Sequence, residues 1–504
     1  MSGNKKRLQP PHPFVMIFLV MLCAVILTHL VPLGRYELRE VTYIENGIQR
    51  TTTAVDPDSF RYVTDEKGER VVYPAPFFGL TALGERGVMN FLFDGLDGSR
   101  QAAGTVGLMA YMLVIGGSFG VLMRTGAIDR GLLRISRRLD DVAMLLPPGF
   151  FVLFSLAGAV FGFSEGTIPL AMLIIPLFVA MDFDAVTGVL ATFAATQIGI
   201  SCSWVSPNAL TMAQSIAGIP ILSGMRFRML LWAVLTLIGA AYTTCYAYKV
   251  HNNPHYSISR AGDARLRGRF ERLHNNREPL SLGSRIIIVV VLFALCWMLW
   301  GVLEKGYSLS EISTVFLIMS LVTGSIGIAF HLDGMQFRDI PRAFQSGASD
   351  LVGAVLVVGM AQGMILILGG ISPTNASVLN TLLHWASRAF EELPRLLTSW
   401  LMYMFQFGFN LVVPSDVGQA ALSMPIMAPM CDQLGISRQI AVLAFQLGGS
   451  LSHLLMPTSG ILIGVLSVAR LEWGDWLRSQ WKAIAAIFFI ASAAIVLASC
   501  IGYA

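Results

Sequence analysis

Residues 446–453 read QLGGSLSH, and residues 197–204 read QIGISCSW. Gln, Gly, Ser and Ser recur at one spacing, from Gln197 to Gln446, 249 residues apart. Each octet interrupts an apolar stretch and runs into a proline: Val205-Ser206-Pro207-Asn208 after the first, Met456-Pro457-Thr458-Ser459 after the second. Upstream of each lies an apolar segment with a polar middle. Residues 147–181 break at Gly162-Phe163-Ser164-Glu165-Gly166-Thr167, and residues 396–431 break at Val413-Pro414-Ser415-Asp416-Val417-Gly418. The Ser-Glu and Ser-Asp tips recur at nearly the same offset, as do Met89-x-Phe91 and Met335-x-Phe337. An amphipathic stretch precedes each segment, at 126–142 and 378–393. Several coincidences at one offset identify an internal repeat.

Each flank of the two segments has about 15 residues, which at 1.5 Å per residue reaches only ~22 Å against a ~30 Å hydrocarbon core. That predicts re-entrant hairpins, each followed by a broken transmembrane helix. Composition agrees with a membrane setting. Of 504 residues 55% are apolar and 13% charged, about half the charge of a soluble domain, and the mean hydropathy is +0.65. Apolar runs near 14–33, 104–123, 227–248, 284–304, 311–330, 349–369 and 479–502 are each long enough to span. The run at 14–33 lacks a small-x-small cleavage site and reads as an uncleaved first span. The six cysteines show no pairing or metal-ligand spacing, and no nucleic-acid partner is implied.

The predicted organisation is a cytoplasmic N-terminus and first span (1–33), a polar extracytoplasmic insert (34–103) and a first repeat at 104–250, with hairpin 147–181 and broken helix 185–223. A cytoplasmic linker (251–282) and an additional span (283–310) follow. The second repeat is 311–504, with hairpin 396–431 and broken helix 438–470. Loops 124–146 and 249–285 carry five and eight basic residues against three acids each, which holds them in the cytoplasm; Arg226 and Arg228 then sit awkwardly at the outer edge. Nine crossings place the C-terminus outside. The hairpins open to opposite sides, an all-α polytopic fold of two inverted-topology repeats and the hallmark of secondary transporters.

A helix that stops inside the bilayer leaves backbone groups that only protein, water or a ligand can satisfy. Helix N-termini near Gly166, Asn208, Gly418 and Ser459 favour a carboxylate. The candidate binding residues are Ser164, Glu165, Gly166 and Thr167 at the first tip, and Gln197, Ser201, Ser203, Trp204, Ser206, Pro207 and Asn208 at the first break. The second half supplies Ser415, Asp416, Gly418 and Gln419 at its tip, and Gln446, Ser450, Ser452, His453, Pro457, Thr458 and Ser459 at its break. Ser164, Ser203, Ser415 and Ser452 are candidate Na⁺ donors; the coupling ion is Na⁺ or H⁺, with no other cofactor or metal expected. Small residues in Gly116-x-x-x-Gly120 and Gly359-x-x-x-Gly363 are read instead as helix-packing positions.

A carboxylate at membrane depth is costly and marks function, so Glu165 and Asp416 are the sharpest positions. No Lys or Arg lies in the four breaks, which favours a small amino acid with a cationic side chain over a dicarboxylate. His453 is read as a substrate donor, a proton carrier or a packing side chain, and Trp204 as a stacking platform or a filler. Gly162-x-Ser164-x-Gly166 also matches a hydrolase nucleophile signature, but its strand–turn–helix context is absent.

The stretches MLVIGGSFGVLMRTGAID (112–129), ATQIGISCSW (195–204), AQSIAGIPILSG (213–224), GQAALSMPIMAP (418–429) and FQLGGSLSHLLMPTSG (445–460) closely resemble the YfcC family. These are bacterial inner-membrane carriers, grouped with C4-dicarboxylate carriers and arginine/ornithine antiporters. The resemblance implies a scaffold domain that includes span 283–310, a hairpin-bearing transport domain, elevator-like movement, a homodimer and exchange of basic amino acids; an organic-anion carrier is the alternative. Two departures stand out. The family's second tip reads V-P/T-S-G-S-G-Q-A where this chain has Asp416 and Val417, and its second break reads F-Q-x-G-D-G where this chain has Gly449 and Ser450. One acid is lost and another gained nearby, which predicts a relocated site charge.

Overall fold

The computed structural model describes residues 12–45, 48–76, 88–97, 103–206, 209–276, 280–391 and 393–503. Among them, seven helical runs are long and apolar enough to cross a membrane: Pro13–Leu30, Thr105–Arg124, Ala127–Phe161, Met225–Asn252, Leu282–Lys305, Leu309–Ala329 and Trp473–Cys500. The chain is a helical multi-pass membrane protein. The run Ala127–Phe161 is composite. Its first part, Ala127–Leu139, is an amphipathic helix with four arginines, joined through a tight turn at Asp140–Leu145 to the apolar helix Leu146–Phe161.

Residues 349–369 do not form the single straight span expected of them. The apolar helix is only Val352–Ile367, bent by 47° from a polar helix, Asp339–Asp350. Sixteen residues rise about 24 Å, short of the hydrocarbon thickness, and the polar partner buries little beyond Gly347. The small-residue pairs do pack helices. A Cβ on Gly120 would lie 2.2 Å from the Ala343 carbonyl oxygen, and one on Gly363 1.9 Å from that of Phe91.

The succession of elements in the first half recurs in the second. Helices Leu146–Phe161 and Thr167–Ala180 flank the first tip, followed by Ala185–Ser201, a break and Ala209–Ile216. Helices Arg395–Phe409 and Asp416–Gln433 flank the second tip, followed by Arg438–Ser452, a break and Gly460–Val468. In both halves the repeated octet lies against the first hairpin arm at a glycine. A Cβ on Gly199 would sit 2.0 Å from the Ser155 carbonyl oxygen, and one on Gly448 2.9 Å from that of Tyr403.

The polar insert begins with an antiparallel strand pair, β1 (Gly34–Glu45) and β2 (Ile48–Tyr62). It is fastened to the second half: the Gly34 N–H donates to the Ser377 carbonyl at 3.2 Å and Thr381 Oγ1 to that of Pro32 at 2.7 Å. The linker also folds. Helix Arg260–Asn276 docks on the first half, where Arg269 pairs with Asp129 at 2.9 Å and Arg267 donates to the Phe183 carbonyl at 2.7 Å. Arg228 is fully buried, its Nε donating to Tyr503 Oη at 3.0 Å and Nη2 to Gln439 Oε1 at 3.3 Å. Facing protein rather than lipid removes the difficulty of its depth.

Candidate functional site

The first tip is held by hydrogen bonds from three other positions, Tyr111, Thr167 and Gln197. Gly162 ends its helix in the left-handed conformation (φ 62°), which turns the chain without strain. Thr167 Oγ1 then donates to the Phe163 carbonyl at 3.1 Å, and Gln197 Nε2 donates to Ser164 Oγ at 3.2 Å. Tyr111, fully buried in the helix Ala103–Arg124, donates its hydroxyl to the Glu165 carbonyl at 3.3 Å. Glu165 itself is half-buried, while Ser164 and Gly166 are buried.

The first break closes on the same hairpin. Ser203 Oγ donates to the Ala159 carbonyl at 2.6 Å and accepts from the Ser206 N–H at 2.9 Å. Ser201 instead bonds back to Ile198 within its own helix, and Trp204 packs edge-on against Trp232, with ring centroids 5.1 Å apart. Pro207 and Asn208 lie outside the described residues.

The second tip is more open: Ser415 is exposed and Asp416 half-buried. Ser415 Oγ caps the following helix by accepting from the Gly418 N–H at 3.3 Å, as an N-cap serine should. Behind it runs an amide chain. Asn410 Nδ2 donates to Gln419 Oε1 at 2.7 Å, Gln419 Nε2 to Gln406 Oε1 at 2.6 Å, and Gln406 Nε2 to Ser423 Oγ at 2.8 Å.

At the second break, Ser452 Oγ donates to the Gly449 carbonyl at 2.5 Å and Ser459 Oγ caps the last half-helix through the Leu462 N–H. His453 Nδ1 sits 3.0 Å from Ser459 Oγ, and its Nε2 is 3.6 Å from Asp416 Oδ1. Gly418, Gln419, Ser450, Pro457 and Thr458 are buried around them. Asp416 also fills the space beside Gly449: a Cβ built there would lie 3.6 Å from Asp416 Oδ1, 3.3 Å from Gln419 Oε1 and 3.8 Å from Asn410 Nδ2.

The two halves meet here. Gln446 Nε2 donates to the Ser203 carbonyl at 3.5 Å, and Glu165 lies within the field of both Asp416 and His453. Five buried oxygens in this region have no partner: Gln197 Oε1, Gln446 Oε1, Ser206 Oγ, Thr458 Oγ1 and Asn410 Oδ1. Buried polar groups are normally satisfied, so this concentration marks a place that water, an ion or a substrate completes. By contrast, the four serine hydroxyls expected to hold Na⁺ are each engaged in a local hydrogen bond. Among the described residues no group of three or more His, Cys, Asp or Glu could hold a metal. Ser164 bonds Gln197 and His453 bonds Ser459, so the Ser–His pair that a hydrolase would need is not formed.

Sequence reasoning passed over Tyr111, Gln406 and Asn410. Gln406 and Asn410 sit four residues apart on an otherwise apolar hairpin arm, one face of a helix, and that spacing was the available signal.

A family described as C4-dicarboxylate anaerobic carrier (DcuC) matches residues 11–500. The chain is 38% identical over 503 residues to the Escherichia coli (strain K12) protein named "Putative basic amino acid antiporter YfcC", covering 100% of this chain and 99% of that one. It is 26% identical over 517 residues to an uncharacterized protein of Haemophilus influenzae, with 98% of each covered. Among solved structures, the YdaH transporter of Alcanivorax borkumensis aligns at 15% identity and TM-score 0.39, covering 98% of this chain and 99% of that one. MtrF of Neisseria gonorrhoeae aligns at the same identity and score, covering 98% and 96%. The chain is a membrane transporter, not an enzyme. Matched along nearly its whole length, it belongs to the DcuC family of carriers.

Proposed function

We propose that this transporter exchanges small amino acids with cationic side chains across a bacterial inner membrane. The observation that carries this is a carboxylate at each hairpin tip, Glu165 and Asp416, within electrostatic reach of one another, with no lysine or arginine in either tip or break. A guanidinium or ammonium group would be held by these carboxylates, and the substrate carboxylate by half-helix N-termini. The name borne by the 38% identical relative agrees with that assignment. The unpartnered amide oxygens of Gln197 and Gln446 supply oxygen donors for a coupling Na⁺, and His453 beside Asp416 a route for H⁺. Each tip and its broken helix would move as one body past the remaining spans, in inverted repeats and in a homodimer. A second reading, an organic-anion carrier, is favoured by the description of the matching family as a C4-dicarboxylate carrier.

Purified protein in liposomes preloaded with arginine should show counterflow of labelled arginine, ornithine or lysine, and little of neutral amino acids or succinate. Counterflow of succinate without arginine would reverse the assignment. Glu165→Gln should reduce arginine counterflow at least tenfold while the protein still elutes as a single folded species; an unimpaired mutant would remove Glu165 from the mechanism.

A further inference from the structure

A cavity of about 440 Å³ opens on the face that carries the basic loops, within the ~300–1,000 Å³ range typical of small-molecule sites. It lies between parts of both halves and the linker helix. Helices Ala103–Arg124 and Asp339–Asp350 form one wall, Met172 and Pro176 of the first hairpin another, and residues 467–470 and Leu266 close it. Four arginines line it (Arg124, Arg269, Arg342 and Arg470), against two carboxylates, Asp339 and Asp350. Arg124 is paired with Asp339 at 3.0 Å, and Arg269 with Asp129 outside the lining. Arg342 and Arg470 make no ion pair among the described residues.

Arg470 also stands where glycine would fold with less strain. It follows the helix Gly460–Val468 with φ 51°, a left-handed conformation that side chains other than glycine adopt at a cost. The linker packs on this residue: a Cβ on Gly262 would lie 2.9 Å from the Arg470 carbonyl oxygen. A strained arginine, a second unpaired one and a net positive cavity of ligand size converge on one chemistry.

We propose that this cavity is a binding site for a small multivalent oxyanion, distinct from the substrate site at the hairpin tips. Guanidinium groups present paired N–H donors that match carboxylate and phosphate oxygens. Arg342 and Arg470, both from the second half, take the anion, with Arg124 of the first half and Arg269 of the linker helix contributing field. An anion held between the halves and beside the linker fastens them to one another, so occupancy favours the arrangement in which these walls stand together. The site is independent of the assignment of the transported solute.

The test is calorimetric titration of full-length protein in lipid nanodiscs with inorganic phosphate, pyrophosphate and citrate at constant ionic strength. Saturable binding of at least one is expected. Arg342→Gln and Arg470→Gly should each weaken it tenfold or more, and Arg470→Gly should leave the melting temperature unchanged or raised, because it relieves the backbone. Glu165→Gln should bind the anion as the parent does. No saturable binding, or equal binding by both arginine variants, overturns the proposal. Loss of anion binding in Glu165→Gln also overturns it, by assigning the anion to the tip site, whereas failure of arginine counterflow alone leaves it standing.

Discussion

At the scale of single residues, the informative contact is between Asp416 and the empty flank of Gly449. Sequence alone shows that this chain carries an acid at the tip and none at the break, the reverse of the pattern it resembles. The structure adds that the two positions face one another, with the Asp416 carboxylate 3.6 Å from where a Cβ on Gly449 would begin. One negative charge can therefore be delivered to nearly the same place from either element. The double variant Asp416→Gly with Gly449→Asp should keep arginine counterflow within a few-fold of the parent, while Asp416→Gly alone should lose most of it. Gly449→Asp alone crowds two carboxylates together and should also transport poorly. A double variant as inactive as the single Asp416→Gly would show that position, not charge, is what matters. His453 was legible as polar at depth, but its neighbours, Asp416 at 3.6 Å and Ser459 at 3.0 Å, come from the folded chain.

At the scale of elements, the interruptions at 162–166 and 410–415 were readable because each flank is a length problem. Fifteen apolar residues cannot cross, and a polar tip cannot sit in hydrocarbon. What could not be read was how the octet docks, since periodicity reports a face and not its partner. Gly199 rests on backbone, at 2.0 Å from Ser155 O for an added Cβ, where no side chain can move aside. Gly199→Ala should destabilise the protein by about 3 kcal/mol, measured as a fall in melting temperature in detergent. Gly149→Ala is the control, because a Cβ there meets nothing within 4 Å and helix propensity favours alanine by up to ~1 kcal/mol. Equal effects of the two would deny the close approach. The bend between Asp339–Asp350 and Val352–Ile367 escaped the sequence for a related reason. A hydropathy window finds the apolar segment and cannot see that a polar helix completes its length.

At the scale of the molecule, the charge pattern proposes an orientation. The insert is acidic on balance and the loops 124–146 and 249–285 are basic, so the insert should face outward and the linker helix inward. In a variant freed of its six native cysteines, a cysteine placed at Asp58 should react with a membrane-impermeant maleimide in intact cells. One placed at Glu271 should react only after permeabilisation, and the opposite pattern would invert the topology. Composition sufficed to identify a multi-pass membrane protein, and the spacing of two octets picked out residues among which buried, unpartnered oxygens gather, Gln197 and Gln446 included. The linker's fold was not legible, because its docking rests on single long-range bonds such as Arg269 to Asp129 and Arg267 to Phe183.

The presence of a carboxylate at each hairpin tip, Glu165 and Asp416, bears on the economy of the whole transport cycle. If a site holding two carboxylates travels across the membrane unoccupied, its charge crosses both a low-dielectric barrier and the electrical potential. The latter alone amounts to about 2.3 kcal/mol per elementary charge for each 100 mV. A cationic passenger offsets part of that charge in each direction. Obligatory exchange, with no net flow when one compartment lacks substrate, then follows from the electrostatics of an unfilled site, without any separate gate to forbid the empty return.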